Sequence, residues 1–255
     1  MQTGRRTVFT GLRAGLTGLR GGLTGVRGGL TRLDEVDAWL IDLDAPVNPA
    51  AASRLTCSPL ARTERDRAIT YLRPRDGARF AASRAWLRLL LGRYLDTEPA
   101  DLSFMTGPDR RPVLAGDHAG SLHFSLSRSA GLALIAVSRS PVGADIELVS
   151  ARAGLADLIG DRFGAAEAGH IARGCGGSPL HGFYRHWTAK EAYLKATGRG
   201  LAGLRGTELV CGVRPLIQYD GRLATNWTLS LPELAVGCAA AVIGAGPVTH
   251  YRAVR

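Results

Sequence analysis

Two carboxylate residues stand two positions apart in a segment whose composition is typical of a β-strand. They are Asp145 and Glu147 in VGADIEL, residues 142–148. Because successive side chains of a strand point to opposite faces, both carboxylates project from the same face. Carboxylate oxygens suit Mg²⁺, which completes its coordination with water and substrate phosphate. The pair is therefore half of a candidate magnesium site, with a strand edge of solvated acids as the alternative.

A second group of ionisable residues follows a helical spacing. In WTAKEAYLK, Trp187, Glu191 and Lys195 recur every four residues, and Lys190 lies beside them. One face of the helix therefore carries an acid between two ammonium groups. Surface ion pairs with this spacing are common and stabilise a helix by only about 0.2–0.5 kcal/mol. However, these are the only lysines among 32 basic side chains, which favours a site that needs a compact ammonium rather than a guanidinium.

A third segment combines hydroxyl and guanidinium groups at the end of a predicted strand. HFSLSRS, residues 123–129, contains Ser127 and Arg128, and Arg111 lies upstream in RRPV. Serine hydroxyls, backbone N–H groups and arginine are the usual donors to phosphate. A polar hairpin turn has the same composition, so this segment alone leaves both interpretations open.

The elements that must position these residues alternate between strands and helices. The predicted helices cover residues 58–71, 76–95, 165–172 and 183–197. The predicted strands cover residues 36–43, 122–126, 131–137, 142–148, 207–213, 225–231, 235–243 and 248–252, and we expect the second to fourth of these to form a meander. The order of strand, helices and strands occurs twice. It predicts an α+β fold of two similar halves, residues 36–148 and 149–255.

The composition limits the class of protein. A chain of 255 residues with 45% hydrophobic content can bury the core of one large domain or two small ones. Its net charge of +10 favours an anionic partner, which could be a nucleic acid, a phosphorylated ligand, an acidic protein or a membrane surface. No apolar stretch approaches the roughly 20 residues of a transmembrane helix. The cysteines are scattered, which predicts reduced thiols in the cytoplasm: Cys57, Cys175, Cys211 and Cys238.

The first residues differ from the rest of the chain. Residues 11–31 repeat a heptad, GLRAGLT, GLRGGLT and GVRGGLT. Each glycine in a helix interior costs about 1 kcal/mol relative to alanine, so we expect residues 1–35 to form a disordered basic arm rather than a coiled coil. A transit peptide and a misplaced start codon are the alternatives.

Taken together, the motifs resemble those of the Sfp-type 4′-phosphopantetheinyl transferases. The similarity rests on VGADIE followed by FYRHWTAKEAYLKATGRGL, with RRPVL and FSLSRS upstream, and it extends from about Val36 to the 240s. It implies a pseudo-twofold α+β enzyme that moves phosphopantetheine from coenzyme A to a serine of an apo carrier protein and releases 3′,5′-adenosine bisphosphate. Such a transferase, of the holo-[acyl-carrier-protein] synthase type, would be a cytoplasmic monomer of secondary metabolism that serves polyketide, non-ribosomal peptide or fatty-acid carriers.

The resemblance also implies roles for individual residues. The magnesium ligands would be Asp145, Glu147 and Glu191. The coenzyme A contacts would be Arg79, Arg84, Arg111, Ser127, Arg128, Lys190 and Lys195, with Arg65 and Arg79 in a looser register. Glu191 would take the serine proton, directly or through a metal-bound water, and Lys195 would stabilise charge on phosphate. The family usually has histidine where this chain has Arg128, and arginine can still bind phosphate bidentately.

The alternative to an enzyme is a protein that binds coenzyme A or nucleic acid without turnover. The arginine-rich composition is compatible with it. However, the chain lacks a recognisable nucleic-acid-binding motif or a cluster of stacking aromatic residues, and its three acids and two lysines fall within the signature segments. We therefore expect no nucleic-acid partner and no membrane partner.

Overall fold

The structure is a computed structural model that describes residues 35–45, 59–107, 109–151, 153–174 and 177–254. The predicted basic arm, apart from Glu35, and the helix start predicted at Ser58 lie outside these residues. Within them the chain forms five α-helices: α1 Arg62–Ile69, α2 Pro74–Leu95, α3 Leu155–Arg162, α4 Ala165–Ala172 and α5 Pro179–Thr197. It also forms twelve strands: β1 Val36–Asp42, β2 Ser103–Thr106, β3 Pro112–Ala115, β4 His123–Ser129, β5 Leu132–Ser138, β6 Gly143–Leu148, β7 Thr207–Val210, β8 Leu216–Tyr219, β9 Arg222–Leu223, β10 Thr228–Ser230, β11 Cys238–Gly244 and β12 Val248–Val254. The mixed α+β class is as predicted.

Local chemistry explains where the two longest helices begin and end. Helix α2 begins at Pro74, two residues before the predicted start, because the fixed φ of proline suits the first helical turn. Helix α5 begins at Pro179 rather than at the predicted Phe183, after Ser178 accepts a hydrogen bond from a backbone N–H. It ends at Thr197, and Gly198 follows it as predicted, with a φ of 67° that favours glycine.

The strands form two main sheets and two small ones. One main sheet has the order β12-β1-β5-β4, in which β12 is parallel to β1 and the other pairs are antiparallel. The second has the order β10-β11-β6 and is antiparallel. The predicted meander is therefore wrong for its third strand, because β6 pairs with β11 instead of continuing beside β5. The small sheets are β2-β3 and β7-β8-β9, and several of these strands were not predicted because two to four residues are too few to show an alternating pattern.

The two main sheets pack face to face, and each has one long helix on its outer face. Alternate residues of β1 and β5 enter different cores: Trp39 and Ile135 pack with α2, while Leu40 and Leu134 pack against β6 and β11. On the far side of β11, Ala241 packs with α5. The layers therefore run α2, first sheet, second sheet and α5, and burial in three consecutive cores positions α5 directly over β6 and β11.

None of the helices among the described residues is both long enough and apolar enough to cross a membrane.

The close approach of β6 to α5 depends on Gly143. A Cβ added there would lie 1.8 Å from the backbone oxygen of Ala192 in α5, so a side chain would push the helix away from the strand. We expect Gly143→Ala to lower the melting temperature by about 5 °C or more, since overpacking a core typically costs about 1–3 kcal/mol. Gly160→Ala is the matched control, because its added Cβ meets open space in α3. Thermal unfolding by circular dichroism would contradict the packing argument if the two variants melted alike.

Candidate functional site

The alternation of β6 places its two acids opposite α5. Ala144 and Ile146 are fully buried in the core between the two sheets. Asp145 and Glu147 point to the other face, where α5 lies, and Lys195 of that helix contacts Asp145. The structure thus brings the two predicted constellations, the strand acids and the helix with Glu191 and Lys195, to one place.

Lys195 and Ser127 both bind the same carboxylate oxygen. The Lys195 Nζ lies 2.5 Å from Oδ1 of Asp145, and the Ser127 hydroxyl donates to that oxygen at 2.6 Å. Lys195 also lies 3.3 Å from Ser127 Oγ and from the Ala144 carbonyl oxygen. A second serine of β4, Ser129, donates to Glu147 at 2.7 Å. The serines of β4 therefore hold both acids of β6 across the boundary between the two sheets.

Glu191 completes the acidic cluster from the helix side. Its pKa is raised above the ordinary value, mainly by burial, and the negative charges of Asp145 and Glu147 raise it further, while Lys195 and Arg111 act in the opposite direction. Removal of a carboxylate from water and nearby like charges both disfavour its ionised form. Glu191 is therefore a more basic carboxylate than a solvated glutamate, as a proton acceptor requires.

The carboxylates of Asp145, Glu147 and Glu191 are the kind of oxygen ligand that Mg²⁺ prefers. The carboxylates of Asp145 and Glu147 lie near enough to Glu191 to raise its pKa, and the Oδ2 atom of Asp145 is buried with no hydrogen-bond partner in the described part of the chain. An orphaned buried carboxylate oxygen is costly unless a cation or donor binds it. The carboxylate oxygens of the three acids do not all lie within 4.8 Å of one another. Ligand oxygens of an octahedral Mg²⁺ site are only about 3 Å apart, so binding would draw these side chains together.

A cleft of about 800 Å³ opens beside the acidic cluster. It lies between α1 and α2, the β2-β3 hairpin, β4 and the end of α5, and Phe80, Phe104 and Phe124 supply apolar surface. Six cationic side chains line it: Arg67, Arg84, Arg110, Arg111, Arg128 and Lys195. Only two acids, Glu64 and Asp109, also line it, so its charge favours a polyanionic ligand.

Three of the predicted arginines line this cleft. Arg84 is buried and ion-paired with Glu64 at 2.6 Å, Arg111 donates to Asp109 at 2.6 Å, and Arg128 lies exposed with its guanidinium 5.2 Å from the centre of the Phe80 ring. Each guanidinium is thus oriented by a carboxylate or an aromatic ring. That orientation limits the conformational entropy that each arginine would lose on binding an anion.

Arg79 and Arg65, the two arginines that the resemblance placed in a looser register, lie outside the cleft. Arg79 binds both oxygens of Asp44, at 2.8 and 2.5 Å, and holds the pKa of that carboxyl well below its usual range. Arg65 donates to the Leu60 carbonyl oxygen at 2.6 Å, and neither arginine lines the cleft. The structure therefore does not bring Arg79 to the ligand-binding residues.

Lys190 also lies away from the predicted phosphate contacts. Its side chain is fully buried, and its Nζ donates to Glu167 at 2.7 Å and to the Arg162 carbonyl oxygen at 2.8 Å. It also lies 4.3 Å from the centre of the Phe163 ring. Lys190 and Lys195 are five residues apart, so the helix turns them to different sides. The structure thus places Lys190 in a buried ion pair between α4 and α5, and its contact with coenzyme A stays a prediction.

Several residues of the site have no counterpart in the sequence prediction. Glu64 accepts hydrogen bonds from Arg84 and from Arg88, the latter at 2.7 Å. Burial alone would raise the pKa of Glu64, but Arg84 and the other donors bring it below its ordinary value. Arg67 lines the cleft without belonging to any motif, and Arg110, the first residue of RRPV, lines it although no role was predicted for it. The positions of Arg67 and Arg110 in the sequence could not predict a shared cleft, because α1 and the β2-β3 hairpin meet only in the folded chain.

Comparison with known proteins gives a consistent result. The model of the 4′-phosphopantetheinyl transferase superfamily matches residues 141–233. The chain is 35% identical to the 4′-phosphopantetheinyl transferase HetI of Nostoc sp., over 84% of this chain and 89% of the relative. It is 33% identical to a candidate 4′-phosphopantetheinyl transferase of Synechocystis sp., over 79% of this chain and 81% of the relative. A phosphopantetheinyl transferase of Thraustochytrium sp. is 27% identical over 78% of this chain and 75% of its own length.

The structural role of Lys190 can be separated from ligand binding. Lys190→Met leaves the buried Glu167 carboxylate without its counter-ion, so we expect a loss of about 3 kcal/mol in the free energy of unfolding. The double variant Lys190→Met/Glu167→Gln should recover at least about half of that loss, because no unpaired charge is then buried and the new amide oxygen can still accept the Leu209 N–H. Urea denaturation measures both values. A single variant as stable as the wild type would contradict the assignment.

Proposed function

The chain belongs to the 4′-phosphopantetheinyl transferase superfamily, and from this premise we propose that it transfers phosphopantetheine from coenzyme A to a serine hydroxyl of an apo carrier protein. The by-product would be 3′,5′-adenosine bisphosphate. The observation that carries the proposal is the position of Lys195, which lines the cationic cleft and contacts Asp145 in the acidic cluster. A ligand in the cleft would therefore present its phosphates beside Lys195 and beside three carboxylates that could hold the metal ion used in phosphoryl transfer.

The cleft has the charge and the size expected for coenzyme A. Cofactor sites commonly enclose about 300–1,000 Å³, and this one encloses about 800 Å³. Arg84, Arg111 and Arg128 would bind the phosphates, because guanidinium groups match phosphate oxygens bidentately. Phe80 and Phe104 already pack against guanidinium groups of the cleft and supply apolar surface there. The arginines inferred from the resemblance remain proposed contacts, with Arg67 and Arg110 added from the cleft lining.

In the proposed reaction the carrier serine oxygen bonds to the β-phosphorus of coenzyme A while the bond to the adenosine bisphosphate oxygen breaks. Glu191 would take the serine proton as the general base. Lys195 would donate to a phosphate oxygen and stabilise the charge that develops there. A bound Mg²⁺ held by Asp145, Glu147 and Glu191 would supply further neutralisation of phosphate charge.

The β4 serines would keep the acids in place during the reaction. Ser127 donates to Asp145 and Ser129 donates to Glu147. These bonds orient the carboxylates from β4, a strand of the first sheet. Ser127, expected from the resemblance to contact coenzyme A, is buried and would act as a positioning residue for Asp145.

We also propose that the fold is a pseudo-twofold repeat within a single monomer. In the first sheet β1, β5 and β4 lie side by side and α2 packs on them, and in the second sheet β6, β11 and β10 lie side by side under α5. The two sets have the same strand order relative to their helix. This similarity supports two related halves. The predicted halves, residues 36–148 and 149–255, assign β6 to the first, but the similarity groups it with the second, so the boundary would lie before Gly143, with β12 returning to pair with a strand of the first half.

The type of carrier protein, the subclass of transferase activity and the cellular location are inferred from the family rather than from particular contacts. We propose carriers of the polyketide, non-ribosomal peptide or fatty-acid type, a holo-[acyl-carrier-protein] synthase activity and a cytoplasmic, reducing location. Cys211 and Cys238 are both reduced thiols, which is compatible with such a compartment.

The direct test is incubation of apo carrier proteins with the protein, coenzyme A and Mg²⁺, followed by mass spectrometry of the carrier. We expect the mass gain of phosphopantetheine on one serine, its loss in excess EDTA and its return when Mg²⁺ is restored. Glu191→Gln should lower the rate by at least about a hundredfold, since general-base catalysis typically contributes about 10²–10⁴-fold. Arg205→Ala is the control and should keep nearly the wild-type rate, because it removes an exposed arginine that does not line the cleft. Coenzyme A binding without any mass gain on the carriers tested would favour the binding protein instead.

Exchange of Lys195 for arginine tests whether the ammonium acts at the transition state. The variant keeps the positive charge but replaces a compact donor with a planar fork beside Asp145. We expect kcat to fall at least about tenfold, equivalent to about 1.4 kcal/mol of barrier, while the affinity for coenzyme A changes less. Steady-state kinetics on a saturating carrier measure kcat, and thermal unfolding confirms the fold. An unchanged kcat would remove Lys195 from the proposed catalytic residues.

A further inference from the structure

A second group of potential metal ligands lies in the C-terminal part of the chain, separate from the acidic cluster. It consists of His170 on α4, His186 on α5 and Cys211 immediately after β7. One ligand atom from each residue lies within 4.8 Å of the others, and no other group of three His, Cys, Asp or Glu side chains in the described ranges meets this distance. The group therefore joins three elements that are far apart in sequence.

The orientation of His186 is already suited to coordination. Its side chain is fully buried, and its Nδ1 lies 2.8 Å from the Gly182 carbonyl oxygen. A carbonyl oxygen can only accept, so Nδ1 carries the proton and Nε2 presents its lone pair. Nε2 lies 3.7 Å from the Cys211 Sγ. A ring nitrogen fixed by a carbonyl while the other nitrogen faces a ligand cluster is the arrangement found around protein-bound metals.

We propose that His170, His186 and Cys211 bind a borderline transition-metal ion of the Zn²⁺ type. In a tetrahedral zinc site the sulfur and nitrogen ligands are about 3.5 Å apart, as follows from bond lengths of about 2.3 and 2.0 Å. The Cys211–His186 separation of 3.7 Å is close to that value. His170 needs only a small approach, and a water molecule would take the fourth position.

The ligand chemistry distinguishes this site from the acidic cluster. A thiolate and two imidazoles suit Zn²⁺, Co²⁺ or copper, whereas Mg²⁺ prefers oxygen ligands. Lys190 is the nearby cation, and its ion pair with Glu167 offsets its charge at the site. His170 and Cys211 are only partly buried, so an ion has access from solvent.

The position of the site suggests a structural effect. His186 precedes Glu191 and Lys195 on the same helix by one to three turns. An ion held between α4, α5 and the end of β7 would restrain α5 from the side opposite β6. It would therefore stabilise the folded chain without entering the proposed transfer reaction.

The test uses the full-length protein, stripped of metal by chelator dialysis in a phosphine reductant and then titrated with Co²⁺. We expect about one equivalent to bind with a thiolate-to-Co²⁺ charge-transfer band in the near ultraviolet, and Zn²⁺ to displace it. Cys211→Ser should abolish the band, and His170→Gln should weaken binding at least about tenfold. Cys238→Ser and Glu191→Gln are the controls and should keep the band, because the first changes a different thiol and the second only the acidic cluster.

Thermal unfolding provides an independent measurement. Zn²⁺ should raise the melting temperature of the stripped wild-type protein by about 4 °C or more, but not that of Cys211→Ser. Absence of the charge-transfer band in the wild type, or equal bands in the wild type and Cys211→Ser, would overturn the proposal. The group would then be a thiol hydrogen-bonded to a buried histidine. Failure of carrier modification would leave this outcome unaffected, since neither readout depends on transfer.

Discussion

The contact between β6 and α5 is the constraint on which the rest of the structure depends. Gly143 lets the helix backbone approach the strand directly, and the alternation of β6 then turns Asp145 and Glu147 toward the helix. Lys195 meets Asp145 only because this distance is short. The same strand buries Ala144 and Ile146 between the two sheets, so the hydrophobic core and the acidic cluster are positioned by one element.

Charge is distributed unevenly over this basic chain. Six of the 32 basic side chains line one cleft, whereas only two acids, Glu64 and Asp109, line it. The buried acid Glu64 forms ion pairs with Arg84 and Arg88. Without it, these two arginines would be buried cations that lack a counter-ion. The proposed anion-binding surface is thus supported by ion pairs within the protein.

Helix α5 has different functions on its different faces. The face toward β6 carries Lys195, which reaches the cleft, whereas Lys190 is fully buried against Glu167 and Phe163. His186 lies one turn before Lys190 and faces α4 and the residue after β7. The sequence contrast between two lysines and thirty arginines is therefore explained in two ways, by a proposed phosphate contact and by a buried ion pair.

The sequence by itself determined the α+β class, the alternation that pairs Asp145 with Glu147 and the helix face shared by Glu191 and Lys195, because these depend only on local periodicity. Features that depend on contacts between distant segments are visible only in the tertiary structure. It placed β6 beside β11 rather than β5, turned Lys190 into the core, and held Arg79 on Asp44 outside the cleft. It also assembled His170, His186 and Cys211. Spacing shows which side chains share a face, but the packing partner of that face follows from burial across the whole chain.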